Sequence, residues 1–174
     1  MNRFEASLNS LFFEPISYRI KSRTMNVIPN LIQLFERDLQ KLKAEIVQYS
    51  EEENIWTIVP EINNSAGNLV LHLVGNLNTY IGAEIGKTGY IRNRPLEFSQ
   101  KGLSKKDLVS KISDTLDVIK ESLNTLPEEA LEEIYPQLVF EQKTSTGYLL
   151  THLTTHLTYH LGQINYHRRL LDKA

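Results

Sequence analysis

Apolar residues recur with a helical period over four long stretches of the chain. From about Val27 to Tyr49, the residues Ile28, Leu31, Ile32, Leu34, Phe35, Leu39, Leu42 and Ile46 make a broad stripe separated by Arg, Lys and Glu. That spacing predicts an amphipathic helix. A second helix is expected from an N-cap at Ser65 to about Glu84, with Leu69, His72, Leu73 and Asn76 on one face and Leu77, Tyr80 and Ile81 continuing along it. Ser104 is expected to cap a third, whose seam is Leu108, Ile112, Leu116, Ile119 and Leu123, and Pro127 follows it as a break. Ser145 or Thr146 opens a fourth that runs to about Leu171 on Leu149, Leu150, Leu153, Leu157, Leu161, Ile164 and Leu171.

Between these stretches the period disappears. "EEENIWTIVPEINNS" reads as a connection that Trp56 anchors in the core, and "GKTGYIRNRPLEFSQKG" reads as a loop. "IYPQLVFEQ" is extended in character and makes either a short hairpin or a long crossing connection. Four long amphipathic segments with little strand predict an all-α fold, a four-helix bundle. Its long connections, between the first and second and the third and fourth helices, are compatible with crossover topologies. Residues 25–174 are expected to form this single domain. Residues 1–24 read as an N-terminal extension, either a short helix around Leu8, Leu11 and Phe12 that Pro15 interrupts, or a poorly ordered tail.

Composition narrows the function classes. A length of 174 residues suits one domain, and 23% charged with 41% hydrophobic residues is the balance of an ordinary globular protein. The net charge of -2, with no run of Lys or Arg, argues against a nucleic-acid partner and a polybasic membrane anchor. No apolar run reaches the ~18 residues of a membrane span. The N-terminus lacks a signal-peptide pattern, so a cytoplasmic location is expected. The absence of cysteine removes disulfides, thiolate ligands and cysteine nucleophiles, and leaves His, Asp and Glu as metal ligands.

Of the five histidines, four lie in "HLTTHLTYHLGQINYHRRLL", residues 152–171. At about 100° per residue, His156, His160 and His167 fall about 40°, 80° and 60° from His152, on one strip of the fourth helix. His152, His156 and His160 are one turn apart, whereas His167 sits nearly two turns beyond His160 and is expected near the surface. Two imidazoles at i and i+4 can converge on one transition-metal ion. "HLTYH" lacks the glutamate of an HExxH protease, so the base of that chemistry is missing. A third ligand must come from elsewhere, and the remaining histidine is His72 on the second helix. The residues alone leave two readings open: a metal site between facing helices, or histidines in ordinary hydrogen bonds and at the surface.

"NLVLHLVGNL", residues 68–77, and "HLTYHLGQI", residues 156–164, resemble the DinB-like, or DinB/YfiT-like, superfamily of four-helix-bundle metalloproteins. The likeness runs from about Val27 to Leu171 and leaves residues 1–24 uncovered. It implies a divalent metal, often zinc or nickel, on His72, His156 and His160, with His152 outside the ligand set. It also implies a left-handed bundle with a long crossover, and a homodimer. Some members of that superfamily are transferases or isomerases that use a low-molecular-weight thiol such as bacillithiol, glutathione or mycothiol.

Three neutral histidines leave coordination positions open, as catalytic metals require. Such a site would acidify a water or take a cosubstrate thiol as thiolate. Asn68 and Asn76 flank His72 by one turn each way and are candidates to orient its ring, as is Gln163 for His160; helix packing or capping is the competing role for each. Tyr159 points about 100° away from His160 and is assigned to core or interface packing. Arg92 and Arg94 are read as a solvated loop in preference to an anion-binding mouth. No carboxylate near the ligands is assignable as a base. Zinc, nickel, iron and manganese all accept histidine ligands. The expected function is therefore a metal-dependent enzyme, a thiol transferase or a hydrolase; the alternative is a non-catalytic metal-binding or dimerising bundle of stress-associated type.

Overall fold

The first apolar stripe folds as α1, Val27–Val47, in a computed structural model that describes residues 26–172. The extension at residues 1–24 lies outside the described residues. Ile28, Leu31, Phe35, Leu39, Leu42 and Ile46 are buried, whereas Leu34 faces out, so the stripe is narrower than its sequence suggests. Asn26 gives α1 no side-chain cap. Instead both oxygens of Glu128 accept the first backbone N–H groups, from Val27 and Ile28, each at 3.1 Å. A carboxylate is well placed at the positive end of a helix.

The connection that follows is a short turn, Glu53–Trp56, in which Ile55 is the fully buried residue. Trp56 is only half-buried. It lies over Gly67, where a Cβ would collide with its ring, and its indole N–H donates to Leu103 O at 3.2 Å.

α2, Ala66–Leu77, starts at Ser65, whose hydroxyl accepts the Asn68 N–H. It continues as a wider, π-helical turn over Asn78–Ala83. Side chains compete there for backbone carbonyls: Asn78 Nδ2 donates to Val74 O at 2.9 Å and Thr79 Oγ1 to Gly75 O at 2.6 Å. The stretch expected to be a loop contains a helix of its own, α3, Arg94–Ser99. Asn93 caps it and Pro95 sits in its first turn, where a missing N–H costs nothing. Six residues are too few to display an apolar period, so only the cap and the proline signal it.

α4, Lys105–Asn124, begins with a reciprocal capping box between Ser104 and Asp107 and buries its whole seam, Leu108, Ile112, Leu116, Ile119 and Leu123. The segment after it crosses the molecule as a short turn, Glu128–Leu131, and then as extended chain with a single bridge, Ile134 to Ser145. No strand forms among the described residues. α5, Thr146–Leu171, closes the core with Leu149, Leu150, Leu153, Leu157 and Ile164. Full burial of each such side chain contributes on the order of 1.5–3 kcal/mol.

The molecule is thus all-helical among the described residues. α1 packs on α4 and α5, and α2 packs on the same two helices. The long helices therefore alternate around the core in the order α1, α4, α2, α5, and α1 and α2 lie across it from each other. None of these helices is long and apolar enough to cross a membrane.

Candidate metal centre

α5 carries His152, His156 and His160 on successive turns, and α2 faces them with His72. The imidazole centroids of His72 lie 5.3 Å from those of both His156 and His160, and the latter two are 4.5 Å apart. One nitrogen from each of the three lies within 4.8 Å of the other two, an arrangement compatible with a metal ion. His152 stands outside the group: its ring stacks on His156 with centroids 6.0 Å apart and meets the edge of Phe140 at 4.8 Å.

The hydrogen bonds decide which nitrogens are free. His72 Nδ1 is 3.0 Å from Glu97 Oε2. Arg92 Nη2 lies farther from Nδ1, at 3.4 Å, and is already engaged with Glu97 Oε2 at 2.9 Å; a carboxylate only accepts, so Nδ1 carries the proton and Nε2 is left with its lone pair. His160 Nδ1 donates likewise to Gln163 Oε1 at 2.6 Å, which leaves its Nε2 bare. That Nε2 lies 3.0 Å from His156 Nε2, while the buried His156 Nδ1 has no partner. No tautomer satisfies His156. With its proton on Nε2, the buried Nδ1 lone pair lacks a donor. With the proton on Nδ1, two lone pairs face each other and the N–H lacks an acceptor. A cation between the two Nε2 atoms removes that clash, and ligand nitrogens each ~2.0–2.1 Å from one zinc ion sit roughly 3–3.4 Å apart.

All three imidazoles are held neutral, as ligands must be. Burial lowers the His156 pKa to about 4, and the neighbouring imidazoles add to the effect. Burial also lowers His72, against the opposing hydrogen bond from Glu97, and lowers His160, against that from Gln163.

Sequence reasoning missed the carboxylate. Glu97, 6% exposed, reaches His72 from α3. Arg92 grips it from the other side, with Nε to Oε1 at 2.6 Å and Nη2 to Oε2 at 2.9 Å. Arg92 is therefore part of a buried ion pair and not of a solvated loop, while Arg94 is exposed with its guanidinium over Phe98. The available signal was "RNRPLE", a helix start with an acid in its first turn.

The remaining candidates divide. Asn68 does not touch His72: its Nδ2 donates to Glu97 O and Gln100 O, both at 2.9 Å, and so ties α3 to α2. Asn76 is buried one turn after His72, with Oδ1 unpartnered. Gln163 contacts His160 and also donates to Tyr159 OH at 3.2 Å. Tyr159 is 63% exposed, so it is not a core residue. His167, expected at the surface, is 3% exposed: it accepts from Tyr49 OH at 2.7 Å and donates from Nε2 to Thr57 O at 3.0 Å. The end of α1 and the connection after it cover this part of α5, which helical periodicity alone does not reveal. A cleft of about 350 Å³ opens beside Gln163, lined also by Asn63, Asn64, Leu69, Tyr166 and Leu170.

Fold and site together define a protein that is all-helical among the described residues, with a three-histidine cluster, buried at His72 and half-buried at His156 and His160, between two facing helices. Residues 23–174 match the family described as protein of unknown function DUF1572, and the chain belongs to that family. It is also similar in fold to the crystal structure of a conserved protein from Enterococcus faecalis, with a TM-score of 0.68 and 17% sequence identity over 84% of this chain and 98% of that one. No curated protein matches the sequence.

Proposed function

We propose that the protein is a metal-dependent enzyme built as a DinB-like four-helix bundle, with His72, His156 and His160 holding one divalent cation. The observation that carries this reading is the 3.0 Å approach of the His156 and His160 Nε2 atoms beside a buried, unpartnered His156 Nδ1. A proton shared between the two Nε2 atoms leaves the buried His156 Nδ1 lone pair without a donor, whereas a cation would take both Nε2 lone pairs at once. The all-nitrogen donor set suits zinc or nickel, and iron or manganese are accommodated by the same ligands.

When bound, the cation supplies a Lewis acid that acidifies a water or a thiol. The chain contributes the rest. Its three ligands are neutral, so the site keeps the full cationic charge and attracts an anionic fourth ligand. It has no cysteine, so a thiol nucleophile comes from a low-molecular-weight cosubstrate, as a reducing cytoplasm provides. The cleft beside Gln163 offers hydrogen-bonding carboxamides on an apolar wall of Leu69 and Leu170, suited to a polar electrophile with an apolar part. Along the outer side of α5, Tyr148, Tyr159 and Tyr166 are each more than half exposed, and no charged residue occurs from Thr146 to His167. We assign that side to a homodimer contact.

Elemental analysis of the purified protein tests the site, and a thiol panel of bacillithiol, glutathione, mycothiol and coenzyme A with a generic electrophile tests the reaction. Stoichiometric zinc or nickel is expected, lost on His72→Ala, His156→Ala and His160→Ala. Variants that bind metal like the parent would end the assignment. Stoichiometric metal without turnover of any thiol would move the protein to the hydrolase or non-catalytic reading.

A further inference from the structure

α3 bridges two sides of His72. Its Glu97 accepts the hydrogen bond from His72 Nδ1 at 3.0 Å, and its Phe98 ring lies 5.3 Å from the imidazole centroid. Three features hold the Glu97 carboxylate in place. Arg92 binds both of its oxygens. Asn68 fastens the backbone of α3 through Glu97 O and Gln100 O, and its own Oδ1 is held by Ser65 Oγ and Lys101 Nζ. On α2, Gly75 leaves the space the carboxyl occupies, since a Cβ there would overlap Glu97 Oε1. A surface ion pair has no need of such a cradle, whereas this carboxylate is buried and, among the described residues, is the acceptor facing His72 Nδ1.

We infer that Glu97 is the positioning residue of the site, fixing His72 in the Nδ1–H tautomer so that Nε2 is the nitrogen presented to the cation, with Arg92 and Gly75 shaped to hold it. The inference rests on the metal reading above for its effect on affinity, but the tautomer itself is a property of the metal-free protein. Outer partners that orient a ligating histidine typically contribute 10–100-fold in metal affinity. Glu97→Gln is a sharp variant because an amide has one acceptor oxygen. Arg92 Nε claims that oxygen, the NH2 group then faces His72 Nδ1, and the imidazole proton is driven to Nε2, where it blocks the ligand lone pair.

Two measurements decide it. Nitrogen-15 NMR of the metal-free parent should show His72 protonated at Nδ1, and the Glu97→Gln spectrum should show a shift toward the Nε2–H form. Zinc titration against a chelator should show affinity lower by roughly 10–100-fold in Glu97→Gln, a smaller loss in Gly75→Ala, and no further loss when Glu97→Gln is added to His72→Ala. A parent that carries the His72 proton on Nε2 overturns the inference whether or not any variant folds. So does a folded Glu97→Gln protein with parental tautomer and affinity. If the parent binds no zinc at all, the metal reading fails, and the tautomer comparison alone still decides the role of Glu97.

Discussion

His156 and His167 lie on the same strip of the same helix, His167 buried and His156 half-buried with its Nδ1 out of solvent, yet the pairing of their nitrogens is opposite. His167 is complete: Tyr49 OH donates to Nδ1 and Nε2 donates to Thr57 O, so one neutral tautomer satisfies both ring nitrogens. His156 is incomplete: Nδ1 has no partner and Nε2 confronts a second imidazole nitrogen at 3.0 Å. The pairing of its two nitrogens is what marks a histidine as structurally complete or as a candidate ligand. A buried polar atom without a partner costs about 1–3 kcal/mol, a cost that His167 avoids and His156 does not.

The comparison can be broken most forcefully by removing each ring. His156→Ala is expected to lower zinc affinity by more than the roughly 10–100-fold that an outer partner contributes, whereas His167→Ala should bind zinc like the parent in the same chelator titration. The reverse holds for denaturant unfolding of the metal-free protein. There His167→Ala should cost about 2–4 kcal/mol, through a cavity and a buried Tyr49 hydroxyl left without its partner, while His156→Ala should cost less because it removes an unsatisfied group. Adding zinc at 100 times its dissociation constant should stabilise the parent by about 2.7 kcal/mol, a rise of roughly 2–4 °C in Tm per kcal/mol for a chain of this size. His167→Ala should keep that increment and His156→Ala should lose it.

Acid sharpens the contrast further. His156 titrates at about 4 in the folded protein, against ~6.5 in an unfolded chain. Between those values the unfolded chain takes up a proton that the folded one refuses. Stability of the metal-free protein should therefore fall as pH drops from ~6.5 toward about 4, level off below, and receive no contribution from this group above ~6.5. Burial lowers His167 as well, so His156→Gln should flatten the dependence without abolishing it when unfolding is followed across that window. The smallest expected effect is that of Tyr49→Phe, about 1 kcal/mol for the hydrogen bond lost from His167.

The long helices were legible because period and length are local properties. Ile28 to Ile46 and Leu108 to Leu123 mark their buried faces, the caps at Ser65 and Ser104 were readable one residue at a time, and the structure chooses Ser145 over Thr146 for the fourth helix. The strip that groups His156 with His160 was equally plain. What escaped depends on neighbours distant in the chain. His167 is buried by Tyr49 and Thr57, residues 118 and 110 positions earlier. Glu97 reaches His72 across 25 positions through a helix too short for a period. Asn68, a candidate partner of His72 from its place one turn away, takes the competing packing role instead: its side chain reaches sideways to α3.

The alternation of the helices around the core carries a consequence for how the protein is made. His72 sits on α2, and the imidazoles opposite it emerge from the ribosome only after α4 and the crossing segment have been synthesised. A nascent chain can neither form the cluster nor discriminate among cations while α5 is still in the exit tunnel. A cation held by the cluster as proposed would therefore be chosen only after α5 docks, and expression under zinc limitation or nickel excess should then change the ion recovered without changing the fold.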